Sequence, residues 1–89
     1  MVTPESVPRI RPGARVSYDQ VRESAVVLFP EGVLVLNETA AAVVDLCDGR
    51  ATIGDITRRL ADDFSGVEPR DVVELVERLV ARGVVVLDG

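Results

Sequence analysis

The chain has 89 residues, 47% of them apolar and 28% charged, with a formal net charge of -5 and ten basic residues that are all arginine. That length accommodates one domain with one hydrophobic core and leaves no room for a deep enzyme cleft. An acidic balance gives no broad positive field for nucleic acid or anionic lipid, and the lack of histidine beside a single cysteine, Cys47, excludes an internal disulfide and the usual zinc, haem and histidine-dependent catalytic sites.

Met1 to Gly13 carries Pro4, Pro8 and Pro12, each removing a backbone donor, and reads as a flexible lead-in outside the core. Residues 14–89 then form the folded domain. No stretch has the apolar run of a signal peptide or membrane span, so a cytoplasmic setting is expected. The alternation in Arg15–Tyr18 predicts a first strand, Asp19–Ser24 a polar connection, and Ala25–Phe29 a second strand. Phe29-Pro30-Glu31-Gly32 suits a tight reversal into a third strand, Val33-Leu34-Val35-Leu36. Connections this short make the three strands an antiparallel meander.

Asn37 is placed to cap a short, nearly all-apolar helix over Thr39–Cys47, stopped by Asp48-Gly49. Thr52 with Asp55 forms a capping-box pattern before Ile53, Ile56, Leu60 and Phe64, a narrow apolar stripe on a second helix. Pro69 fits the first position of a third helix running to Arg82, with Gly83 suited to end it. Val84–Leu87 is a terminal extended segment or a packed tail. The fold class is therefore α+β, a three-stranded antiparallel meander followed by three packed helices, close to a winged helix-turn-helix in element order.

The third strand is apolar at every position, so a sheet covered on one side leaves part of it, and its free edge, open to another chain. The third helix spreads Val72, Val73, Leu75, Val76, Leu79 and Val80 over an arc wider than the stripe of about 100° that one buried face needs. We place a peptide groove along Val33, Leu34, Val35 and Leu36 on the strand and Val73, Val76 and Val80 on the helix, with Glu77 at the rim and the Leu75–Leu79 flank on the core. The reverse assignment of flanks fits the same helical wheel. On residues alone, a packed core or a homodimer seam is the more ordinary account of both features.

Leu36-Asn37-Glu38-Thr39-Ala40 followed by Leu46-Cys47-Asp48-Gly49 resembles the PqqD family. Arg11-Pro12-Gly13, Phe29-Pro30-Glu31-Gly32 and Arg82-Gly83 extend the likeness over nearly the whole chain from Arg11. The resemblance implies a non-catalytic protein that binds the leader of a ribosomally made precursor peptide as an added strand, between the third strand and the third helix. It further implies presentation of that peptide to a radical SAM enzyme, in pyrroloquinoline quinone biosynthesis or in another peptide-modification pathway. The likeness breaks at Val21-Arg22-Glu23-Ser24-Ala25, where the family pattern has a glycine-containing turn.

Two rivals come from other classes. A winged-helix DNA reader would use Arg70, Arg78 and Arg82 on phosphates, but Asp71, Glu74 and Glu77 would face the same phosphates. An assembly module would use the open edge to pair with a second copy. Cys47 reads as a small buried hydrophobe, and Asp45, Asp48, Asp62 and Asp63 as surface charge without a partner base or ligand spacing.

Overall fold

A computed structural model describes residues 1–88. In chain order it contains β1 (Val7–Ile10), β2 (Arg15–Asp19), β3 (Ser24–Phe29), β4 (Gly32–Val35), α1 (Glu38–Asp45), α2 (Ile53–Leu60), α3 (Pro69–Ala81) and β5 (Val85–Asp88). The strands form two antiparallel sheets, a three-stranded one in the order β2-β3-β4 and a two-stranded one of β1 with β5. No described helix is long and apolar enough to cross a membrane.

In the larger sheet Val16, Val27 and Leu34 align across the strands, as do Ser17, Val26 and Val35. Val27 is fully buried against the helices. The connection from β2 to β3 is a local polar turn in which the Asp19 carboxylate accepts the N-H groups of Val21 (3.0 Å) and Arg22 (3.3 Å). Glu23 closes it with φ 54°, a left-handed conformation that glycine adopts at lower cost. Replacing Glu23 by glycine is therefore expected to raise stability by about 0.5–1 kcal/mol, since relief of the left-handed strain exceeds the added freedom of the unfolded chain. Urea unfolding of the variant tests this, and a lower midpoint would refute it.

Each helix begins as its sequence predicts. The Asn37 side-chain oxygen accepts the N-H of Ala40 at 2.8 Å. Thr52 and Asp55 exchange side-chain bonds with each other's backbone N-H at 3.0 and 3.1 Å, and the bond from the Thr52 amide helps hold the Asp55 carboxyl below its usual range. Pro69 opens α3, and the Asp71 carboxylate accepts the Glu68 N-H at 3.0 Å. At the far end Gly83, with φ 79°, donates to the Val80 carbonyl while Val84 donates to that of Leu79, closing the last turn. The helices end sooner than the apolar pattern suggests: Cys47 and Phe64 lie beyond α1 and α2.

The core is aliphatic. Val27, Leu36, Val43, Val44, Ile53, Ile56, Val72, Val76, Leu79, Val84 and Val85 form one buried cluster, with Phe29 and Phe64 only at its margin. Cys47 belongs to this cluster and its thiol donates to the Val43 carbonyl. Burial, with the neighbouring Asp48 charge, pushes that thiol up to about 12, so it has no thiolate character near neutrality. Asp48 is not merely surface charge: its carboxylate accepts the N-H groups of Ala51 and Arg50, which holds it below the ordinary carboxylate range and shapes the turn between α1 and α2.

The opening residues correct the expectation of a lead-in outside the core. Val7–Ile10 pairs with Asp88–Val85, and Pro8 is among the fully buried side chains. The missing N-H of Pro8 costs nothing in the ladder, because its carbonyl points away from β5 to accept from Gly49 (3.0 Å), and its nitrogen faces the same way. Further upstream, the carbonyls of Ser6 and Pro4 accept the N-H groups of Ile53 and Gly54, each at 2.9 Å. Those are first-turn donors of α2 with no partner inside the helix. The strand count rises accordingly from three to five, and the terminal segment after α3 is the partner of β1.

Candidate functional site

β4 is an edge strand, and one hydrogen bond shows which of its groups are free. The Leu36 N-H donates to the Ala25 carbonyl at 2.9 Å, so Leu36 and, two residues back, Leu34 turn their backbone groups toward β3. Val33 and Val35 therefore direct both N-H and C=O outward, giving the edge two donors and two acceptors. Their side chains are exposed, at 56% and 47%, on the sheet face away from the helices. Leu34 is half-buried and Leu36 buried on the opposite face. The all-apolar run is thus split by the strand period into a core pair and a solvent pair.

Beside this edge runs a groove of about 230 Å³. One wall is Leu34, Val35 and Leu36, continued by Asn37 and Ala40; the other is Leu75, Arg78, Leu79 and Arg82 of α3. The flank of α3 that faces the edge is the reverse of the one expected. Val76 has no exposed surface and sits in the core, while Val73 and Val80 pack against the core as half-buried residues away from the groove. Glu77 is exposed on a separate shallow surface with Glu74, Arg78 and Ala81. The physical reason is the rotation of α3 about its axis: Val72, Val76 and Leu79 form the buried line, which puts Leu75 on the sheet side and Val73 and Val80 on the other. The spacing of those three residues was the signal for the centre of the buried face, but the wheel alone does not say on which side of that centre the sheet lies.

One cluster fixes the end of the groove near the hairpin turn. Arg11 donates from Nη1 to Glu31 Oε1 (3.1 Å) and from Nη2 to Glu31 Oε2 (3.4 Å), and Nη1 also reaches the Gly83 carbonyl (3.0 Å). The backbone N-H of Arg11 donates to the Val84 carbonyl at 3.0 Å. The turn between β3 and β4 is thereby tied to the C-terminal end of α3. The Arg11 guanidinium holds the Glu31 carboxyl below its ordinary value.

A second, more open cleft of about 720 Å³ lies on the other side of Leu36 and Asn37, between β2, β3 and the start of α1, with Tyr18 and Phe64 on its walls. Among the described residues no group of three or more histidine, cysteine, aspartate or glutamate side chains is placed to hold a metal ion.

The model of the family described as coenzyme PQQ synthesis protein D (PqqD) matches residues 24–85. The PqqA binding protein of Methylococcus capsulatus is 38% identical over 82 residues, covering 90% of this chain and 87% of that one. A PqqA binding protein of Klebsiella pneumoniae is 40% identical over 74 residues, covering 81% and 80%. Among solved structures, the PqqD truncation of Methylobacterium extorquens PqqCD, described as a functional, stand-alone recognition element for ribosomally synthesised and post-translationally modified peptides, superposes with a TM-score of 0.82 at 30% identity over 97% of this chain and 95% of that one. The heterocyclase TruD contains the same fold in 12% of its length, with a TM-score of 0.69 at 16% identity over 93% of this chain.

Proposed function

The chain belongs to the PqqD family, and from that premise we propose that it binds the leader region of a PqqA-type precursor peptide as an extra strand on β4 and holds it for a radical SAM enzyme in pyrroloquinoline quinone biosynthesis. The observation that carries this reading is the outward pairing capacity of Val33 and Val35 beside a groove lined mainly by aliphatic side chains. Strand addition draws affinity from the backbone ladder and selectivity from alternate side chains, which is what an edge strand flanked by a helix provides. The names and the stand-alone recognition role of the similar proteins point the same way.

The energetics favour a reversible carrier. Each ladder bond contributes about 0.5–1.5 kcal/mol net, and ordering each guest residue costs about 1–2 kcal/mol. Apolar burial on the half-buried Leu34 and Leu75 must supply the remainder, giving binding of moderate strength suited to passing a peptide on.

Amide hydrogen exchange with a synthetic PqqA peptide tests the reading. The amides of Val33 and Val35 are expected to slow on peptide addition, while that of Leu34, already turned toward β3, changes little. Equal exchange at Val33 and Val35 with and without peptide would end the proposal. Protection that instead grows with protein concentration alone would assign the edge to a second copy of the chain.

A further inference from the structure

We propose that Arg78 and Arg82 are specificity residues of this groove, and that the peptide it accepts carries two acidic side chains separated by one residue. The proposal rests on the strand-addition reading above and adds the chemistry of the guest.

Both arginines are exposed on the α3 wall. The ion pairs among the described residues engage Arg9, Arg11, Arg22, Arg58 and Arg70, and none engages Arg78 or Arg82. Neither side chain makes a hydrogen bond to a described residue, whereas Arg11 makes three. Glu74 and Glu77 share a shallow surface with Arg78, but neither forms an ion pair with it. Two guanidiniums without an ion-pair partner thus stand on the wall of a groove otherwise lined mainly by aliphatic side chains, where their donors are free to meet a guest carboxylate.

Spacing defines what they read. Four residues of α-helix rise about 6 Å. Two residues of extended strand rise about 6.7 Å, and side chains at that interval point to the same face. A guest strand on β4 therefore presents every second side chain toward α3, at nearly the interval that separates Arg78 from Arg82. Leu75, one turn before Leu79 on the same wall, takes an aliphatic guest residue beyond the acidic pair. A guanidinium suits a carboxylate because its planar donors can engage both oxygens.

The test uses twelve-residue synthetic peptides, alike except that two positions separated by one residue carry Glu in one and Gln in the other. At low salt the Glu peptide is expected to bind about tenfold more tightly, mostly through faster association, and the preference should shrink to about twofold as salt screens the charges. In the Arg78→Gln, Arg82→Gln double variant the two peptides are expected to bind alike. Glutamine is a good helix former and both positions are exposed, so an unchanged unfolding midpoint should show that the fold is kept. Equal affinity of the two peptides for the native chain, or a Glu preference that survives in the double variant, would overturn the assignment while leaving strand addition standing. If a PqqA peptide also fails to slow exchange at Val33 and Val35, strand addition itself fails and this assignment falls with it.

Discussion

Replacing Val35 by proline is expected to weaken binding of a synthetic PqqA peptide by about thirtyfold or more while the domain remains folded. The substitution removes one outward donor, and the proline ring occupies the lane in which the guest carbonyl would lie, so a ladder bond is lost and a guest acceptor is left unpaired. Together these effects amount to about 2–3 kcal/mol. The fold should tolerate the change because the Val35 N-H faces away from β3 and its side chain is exposed. Leu34→Pro is the informative contrast: its N-H lies in the β3–β4 ladder, so that variant should lose stability as well as binding. Titration calorimetry of Val35→Pro with unfolding curves for both variants separates the outcomes. An affinity unchanged by Val35→Pro would show that the guest does not pair along β4.

Deleting the first ten residues is expected to destabilise the domain by at least about 3 kcal/mol, a fall in melting temperature of about 12–24 °C for a chain of this size. The deletion strips β5 of its partner and uncovers the surface that Pro8 and Ile10 shield. It also orphans the N-H groups of Gly49, Ile53 and Gly54, now satisfied by Pro8, Ser6 and Pro4. Small domains have little reserve, so a loss of this size leaves the truncated chain substantially unfolded at moderate temperature. Calorimetry of the truncated and intact chains decides the matter; a shift of only a few degrees would mean that β1 is dispensable.

The contrast between these two regions shows what could be read from residues. β2, β3 and β4, the caps at Asn37 and Thr52, the entry of α3 at Pro69 and its exit at Gly83 were all legible, because each depends on contacts within a few positions. β1 was not. Its partner residues lie about eighty positions away, and three prolines in the first twelve residues carry the local signature of unpaired chain. The candidate site divides along the same line. The exposed edge followed from an aliphatic run on a terminal strand, whereas the face of α3 that meets it depends on how α2 and the sheet together rotate that helix. The helical wheel left both flanks of α3 open, and only the folded arrangement sets Leu75, Arg78, Leu79 and Arg82 beside β4.

The junction at Arg11 brings together three short motifs that are remote in sequence: the end of β1, the hairpin tip at Glu31 and the exit of α3 at Gly83. One end of the groove is consequently braced by a tripod whose feet all stand outside the groove's lining. Replacing Arg11 or Glu31 would loosen the link between hairpin and helix without altering a single lining side chain. Under the strand-addition proposal, selectivity among similar peptides is then open to retuning from the periphery, and swapping lining residues between relatives would transfer preference faithfully only if the tripod travels with them.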